Sequence, residues 1–465
     1  MRTRLGDQWP TLIVAALAGT FGVALLHVTG LLAAAIAADD VTGQSATVAL
    51  MLGIVATVFI VIAVYVSAVV TANTVSTVVA GRTRVIALLR LIGSSARTQR
   101  AHIAREGLIV GLVGAVAGIF VGTGVAWGLE IVAEATALMP ATGYDYLNPA
   151  VALPAVAVVI TTWLASWVGS RRVLAVRPIQ AIGNSHEQNR EDLESHRARN
   201  IIALVLVVLG LGLLVAGVVW GLTEPYGVLV GMVGGLVSFT GIVLGAHVVM
   251  PPVLRLVGRA LGGSPAARLA AENAVRHPER SARMTIGLVI GVTLVTTFAV
   301  TMESYRAMIL EAQRVNPEVY AGIDEMLGVT VAVFTVLIGF SALIAAIGLV
   351  NTLSLNVMQR TRELGLLRAL GFERTQVRLM IVAESAALTL AATLLGIVLG
   401  FGYGWAGAQS LLGGAQGEPV FVFPGLPWGM FAGLLLAAGV LTLVASVAPA
   451  RRAMRVAPVV ALAVE

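Results

Sequence analysis

One stretch of this chain combines charge with a helical apolar pattern: Gln359-Arg-Thr-Arg-Glu-Leu-Gly-Leu-Leu-Arg-Ala-Leu-Gly371. Leu364, Leu367 and Leu370 recur at helical spacing, so they share one face, while Arg360, Glu363 and Arg368 can meet a polar partner. Gly371 supplies a stop, because glycine takes a left-handed conformation at little cost. A second amphipathic run, Thr375 to Ile381, then leads into a long apolar segment. Such a pattern suits docking and the transmission of force, and it breaks no bonds. Taken alone it also fits an orientation signal, or a helix resting on anionic headgroups.

Residue types elsewhere exclude most catalysis. No Ser/His/Asp arrangement, His-x-x-x-His spacing or catalytically spaced carboxylate pair occurs. All 30 basic residues are Arg and none is Lys. A P-loop needs its Lys for the β/γ-phosphates, so ATP chemistry would fall to another chain. Cysteine is absent, which removes disulfides, thiolate metal sites and thiol nucleophiles. No cofactor is expected in this chain.

A few polar residues fall inside apolar runs. His27 lies in the first and His247 near the end of the sixth; an intramembrane ionisable group is a functional candidate, although a neutral His bonded between helices is inexpensive. Glu106 and Glu384 begin matching helices, where a carboxylate complements the helix dipole, pairs with Arg105 or Arg378, or relays motion. Gly107, Gly111, Gly114, Gly118 and Gly122, and later Gly396, Gly400 and Gly404, stack small residues on one face for close helix contact. Tyr144, Tyr146, Tyr305 and Tyr320 stand near external loops, as interfacial anchors or as part of a surface for a cationic or amphipathic ligand.

The elements that must position these residues follow from composition. The chain is 465 residues long, 58% hydrophobic and 12% charged, with a mean hydropathy of +0.93. That is the composition of a membrane protein. A span needs about 20 apolar residues, and ten segments qualify: 11–37, 46–72, 105–132, 150–170, 201–222, 226–250, 284–303, 327–350, 380–412 and 426–448. The first is longer than a signal-peptide core of about 7–15 residues and reads as an uncleaved span.

Placing both termini in the cytoplasm puts 28 Arg inside and leaves only Arg306 and Arg314 outside, with 12 acidic residues on each side. The chain then carries +16 inside and −10 outside, as the positive-inside rule requires. Arg clusters that hug membrane boundaries argue against nucleic acid as a partner.

The chain also repeats itself. Asn73 to Arg84 recurs as Asn351 to Arg362, Leu88-Leu-Arg90 as Leu366-Leu-Arg368, Gly93 as Gly371 and Glu106 as Glu384, all in one gapless register. Ala165-Ser166 and Arg171-Arg172 through Pro178 recur as Ala445-Ser446 and Arg451-Arg452 through Pro458, with the register shifted by only two positions. Six expected spans separate the copies, so the repeat is parallel, unlike the inverted repeats common in secondary carriers.

The expected fold is an all-α polytopic membrane protein of about ten helices arranged 4+2+4, with no large extracytoplasmic domain. Its parts are a first unit at 1–182, a polar and flexible linker at 183–200, a two-helix connector at 201–256 and a second unit at 257–465.

The run Arg-x-Arg-Glu-x-Gly-x-Leu-Arg-Ala-Leu-Gly371, with Glu384 at a fixed distance beyond it, resembles the FtsX/MacB-type permeases of ABC transporters. So does Ala271-Glu-Asn273 leading to Arg276-His-Pro278-Glu-Arg280, which is similar to that family's amphipathic lead-in helix. The resemblance implies that residues 82–97 and 360–375 are coupling helices seated on a dimer of ABC ATPase subunits, which would bind the ATP and Mg.

On that reading Arg82, Arg84, Arg90, Gly93, Arg360, Arg362, Glu363, Arg368 and Gly371 carry the coupling, and Glu106 and Glu384 are candidate relays. The first copy departs from the pattern, with Val85, Ile86 and Ala87 where Glu363, Leu364 and Gly365 stand. The family's sizeable external domain has no room in the short connections here. The resemblance implies a permease subunit in the bacterial inner membrane, surrounded by lipid, that moves a hydrophobic or amphipathic substrate such as an antimicrobial peptide, drug or lipid. The alternative it implies is mechanical signalling to a cell-wall hydrolase, a sensor kinase or another accessory protein.

Overall fold

The computed structural model describes residues 9–37, 50 and scattered positions from 53 to 73, 88–89, 92–135, 143–170, 190–260, 278–315, 339, 342, 371–414 and 419–455. Among the described residues every regular element is a helix. In chain order these are α1 (Trp9–Ala37), α2 (Ala96–Ala135), a 3-10 turn (Pro149–Val151), α3 (Ala152–Gly169), α4 (Arg190–Trp220), α5 (Gly227–Leu244), α6 (Ala246–Ala260), α7 (Pro278–Val315), α8 (Arg374–Leu412) and α9 (Trp428–Arg455). Seven of the described segments are long and apolar enough to cross a membrane, and α9 carries a shorter apolar stretch, Trp428–Val440. They fall on eight of the ten expected spans. The second, 46–72, is described at about half of its positions, all of them helical, and the eighth, 327–350, lies almost wholly outside the described residues.

Several boundaries differ from the sequence expectation. The linker expected to be flexible up to residue 200 is helical from Arg190 onward. Its residues are mostly good helix formers, and Glu191 and Asp192 in the first turn complement the helix dipole. The sixth apolar segment is two helices: α5 closes at Gly245, whose N–H donates to the Gly241 carbonyl at 2.9 Å, and α6 follows. In α6, Met250, Leu254 and Val257 are buried one turn apart while Arg255 is exposed. This is the pattern of a helix lying against the bundle with a charged outer face. The seventh span continues to Val315, beyond the expected edge at 303, and its last turns hold a Glu311–Arg314 ion pair at 3.6 Å.

Packing proceeds by pairs: α1 with α2 and α7 with α8 run parallel, while α2 with α3 and α4 with α5 run antiparallel. The glycine stripes make these contacts. A Cβ at Gly114 would stand 2.6 Å from the Ala15 Cβ, and one at Gly118 would stand 2.5 Å from the Gly19 carbonyl carbon. In the second unit a Cβ at Gly396 would meet the Val292 Cβ at 2.7 Å, and one at Gly400 the Thr293 carbonyl oxygen at 2.5 Å. Close backbone approach of this kind is what holds helices together where lipid removes the hydrophobic driving force.

The connector pair uses the same device, which sequence reading missed. Gly210 and Gly217 on α4 oppose Gly234 and Gly227 on α5, and Gly241 meets Ala203 and Val207; these glycines are spaced by seven residues on each helix. Helix α7 is buried on nearly every side, from Ile286 to Val300. By contrast α4 exposes Leu204, Val208, Leu211 and Val215, an apolar face that suits lipid.

Candidate functional site

The described parts of the twin charged segments meet at two glycines. Gly93 and Gly371 both have φ +98°, a region that costs other L-residues about 1–2 kcal/mol. The chain therefore turns at the same place in both copies. After Gly93 the Ser94 N–H donates to the Leu89 carbonyl at 2.9 Å and closes the turn. Beyond each turn stands a cap. The Thr98 N–H donates to Ser95 Oγ at 3.1 Å. In the second unit Glu373 and Gln376 form a reciprocal capping box, and the Glu373 N–H donates to Gln376 Oε1 at 3.1 Å. Ser95 and Glu373 occupy equivalent positions in the repeat, as do Thr98 and Gln376.

These caps open α2 and α8, which have 40 and 39 residues. At 1.5 Å per residue each is about 60 Å long, about twice the roughly 30 Å hydrocarbon core of a bilayer. Each runs unbroken from the turn through the bundle, so the turn is joined to the membrane core by one rigid rod. The expected coupling intervals, 82–97 and 360–375, are corrected here. Their last residues, Ala96-Arg97 and Arg374-Thr375, belong to these rods and lie past the glycine turn. Arg82, Arg84, Arg90, Arg360, Arg362, Glu363 and Arg368 lie outside the described residues.

The foot of α2 is fixed by Arg100, which sequence reading passed over. Its Nη2 donates to the Trp167 carbonyl at 3.2 Å, and its guanidinium lies 4.7 Å from the Trp167 ring centroid. This cation–π contact ties α2 to the end of α3. Arg378 holds the matching position on α8; the gapless register of the repeat was the signal available for the pair. Glu106 lies 3.3 Å from His102 Nδ1, one turn back on α2. Glu384 is buried, with 7% of its surface exposed. The two carboxylates thus share a register and differ in surroundings.

At the far end of the first unit, His27 is fully buried. Its Nε2 lies 3.1 Å from Thr123 Oγ1 and its Nδ1 lies 3.4 Å from the Tyr144 hydroxyl. Tyr144 and Tyr146 pack edge to face with centroids 5.1 Å apart, and the Tyr146 hydroxyl donates to the Glu130 carboxylate. Burial pushes both phenols above their ordinary value. Tyr144 is raised further by Asp145, and Tyr146 by its bond to Glu130 and that carboxylate's charge. His27 is thereby held between α1, α2 and the following loop, in the arrangement of a neutral interhelical histidine. The second unit has no matching cluster among the described residues. There Thr301 donates to the Gly404 carbonyl at 3.0 Å.

Comparison with known proteins gives a consistent pattern. A family model described as the C-terminal domain of FtsX-like permeases matches the chain twice, at residues 57–178 and 335–458, together more than half of its length. The two matches begin and end at positions that the internal repeat makes equivalent.

Among curated proteins, the chain is 31% identical over 166 residues to the ABC transporter permease YknZ of Bacillus subtilis (strain 168), covering 36% of this chain and 38% of that one. It is 26% identical over 122 residues to the ABC transporter permease YtrF of the same organism, covering 25% and 28%. It is 34% identical over 145 residues to the macrolide export ATP-binding/permease protein MacB of Rhodospirillum rubrum, covering 30% and 21%. The matched region thus spans less than two fifths of each of these relatives.

Proposed function

Because the chain belongs to the family of FtsX-like permeases and carries that domain twice, we propose that it is the membrane subunit of an ATP-driven transporter whose paired ATPase subunits press on both glycine turns at once. The observation that carries this reading is the pair of turns, each with φ +98°, each followed by a cap and a helix about twice as long as a bilayer is thick. Force applied to the charged segment before either turn would enter a continuous helix rather than a flexible loop. The two helices would then move their close-packed partners, α1 and α7.

The charge distribution supports a cytoplasmic position for both turns, with both termini inside. The absence of Lys, and so of a P-loop lysine, supports a separate chain for ATP binding. The cargo on this reading is hydrophobic or amphipathic and is taken from the bilayer for export. The apolar walls between helices and the short described external connections, such as Gly221–Tyr226, support it.

The test uses the chain co-purified with its ATPase and reconstituted in liposomes. Charge reversal at Arg360, Glu363 or Arg368 should lower ATPase stimulation at least fivefold while the membrane part stays folded. Reversal at Arg82 or Arg90 should cost less, because the first copy departs from the pattern. Unchanged stimulation in every variant would overturn the docking assignment.

A further inference from the structure

Where the connector pair meets the second unit, the helices leave a cavity of about 180 Å³. Its walls come from the described residues of the second apolar segment (Ile54, Ile62), the connector (Leu214, Leu236), α7 and α8. On α8 the lining residues fall between Tyr403 and Leu411, at the end remote from the Gly371 turn. On the connector they lie toward the Gly221–Tyr226 turn. If the glycine turns are cytoplasmic, the cavity sits in the outer half of the bilayer.

Several polar groups in these walls are already engaged, while Thr293 Oγ1 is buried without a hydrogen-bond partner among the described residues. Tyr65 and Thr240 share a hydrogen bond at 2.8 Å, and Ser238 and Tyr403 share one at 2.9 Å. The rings of Tyr65 and Tyr403 flank Phe239, with centroids 6.4 and 6.3 Å from it. Thr301 donates to the Gly404 carbonyl and Ser410 to the Ala406 carbonyl. Both phenols thus satisfy their hydroxyls within the protein. A cavity of this kind offers water too few partners and takes up apolar molecules instead.

The glycines here also behave unlike those of the packing stripes. Among the described residues, a Cβ at Gly407 would meet nothing within 4 Å, and one at Gly235 only Tyr403 Cδ1 at 3.9 Å. Gly396, Gly400 and Gly404 on α8, and Gly234 and Gly241 on α5, admit a neighbouring backbone, whereas Gly235 and Gly407 leave room in the cavity wall. The space is partly open to its surroundings, and at this depth the available apolar matter is the tail of an amphiphile.

We propose that the cavity between the connector and the second unit is a binding site for a single alkyl chain, drawn from the leaflet opposite the glycine turns. As a binding site it stands independently. As the seat of cargo it rests on the transport reading, and the two are separable by experiment.

The chain with its ATPase, in lipid nanodiscs, is photolabelled in parallel with a diazirine-bearing palmitic acid and with a diazirine-bearing phosphatidylcholine. The labelled peptides are then mapped by mass spectrometry. Label from at least one probe should concentrate on Gly231–Phe239 and Tyr403–Leu411 and be competed by unlabelled palmitic acid. Palmitic-acid label identifies a single-chain amphiphile as the source, and phospholipid label identifies the bilayer. Gly407→Leu and Gly235→Leu fill the space from two different helices and should each cut the label at least fivefold with no fall in melting temperature.

Stimulation of ATPase activity by palmitic acid, lost in both filled variants, would make the site the seat of cargo. Cavity label without such stimulation leaves the binding site standing and removes the transport role. Label spread evenly over the outer face of α4, or undiminished in both filled variants, would overturn the proposal.

Discussion

The rod of the first unit, α2, and that of the second, α8, keep one plan and execute it with different residues. Each begins after a glycine at φ +98°, gains a side-chain cap two residues later and then lays glycines against a parallel helix, α1 or α7. Yet the cap is a serine in one and a Glu–Gln box in the other. The partner surface is alanine and glycine on α1 but valine and threonine on α7. The His27 cluster decorates only the first unit among the described residues. The two copies retain backbone geometry and close approach, and they vary the polar chemistry around it. The comparison therefore separates what the lever requires from what each unit adds.

The largest test of that separation is steric. Gly118→Val and Gly400→Val each force a side chain into the opposing helix backbone, and overpacking should cost about 1–3 kcal/mol in each. Gly124 and Gly402 are also equivalent positions in the repeat, and a Cβ at either meets nothing within 4 Å. Gly124→Val and Gly402→Val should therefore leave thermal unfolding in detergent nearly unchanged. Equal losses at all four positions would show that the stripes do not mark the contact faces.

Next come the turns. Gly93→Val and Gly371→Val place a branched residue at positive φ, a penalty of about 1–2 kcal/mol confined to the lever. Amide exchange over Ser94–Gln99 and Phe372–Val377 should quicken about 5- to 30-fold, by the same amount in both units. The global unfolding midpoint should barely move.

A smaller effect distinguishes the units. His27→Leu removes two side-chain contacts, one to Thr123 on α2 and one to Tyr144 in the loop, each worth about 0.6 kcal/mol in a membrane. Its thermal stability should fall by about 1 kcal/mol, while Thr301→Val should cost about half as much. Smallest are the caps: Ser95→Ala and Glu373→Ala should each loosen the first helical turn by about 1 kcal/mol or less, read by exchange at that turn alone.

Much of this was legible in the sequence, for reasons that particular residues make plain. The glycine turn was readable because Gly371 ends an amphipathic run, and its repetition at Gly93 was readable because the register holds without a gap. The stripe on α2 was readable because spacings of three and four mark a helix face. The connector glycines were passed over because a spacing of seven leaves six apolar residues between markers, which resembles ordinary membrane composition. The start of α4 was misplaced because charged residues such as Glu191 and Arg197 suit a solvated loop and a solvated helix equally. His27 showed itself as a buried candidate, but its partner Tyr144 is 117 residues away, and no local pattern announces a contact at that separation. Arg100 looked like one more cytoplasmic arginine until Trp167 was seen beneath it.

Both levers must stand on the cytoplasmic face for one motor to push them together, and the cysteine-free sequence permits a direct measurement. Ser94→Cys and Phe372→Cys place single thiols one residue beyond Gly93 and Gly371. Each is challenged with a membrane-impermeant maleimide in right-side-out spheroplasts and in inverted vesicles. The account predicts that both thiols label in inverted vesicles and neither in spheroplasts. Labelling of one from outside and the other from inside would contradict it.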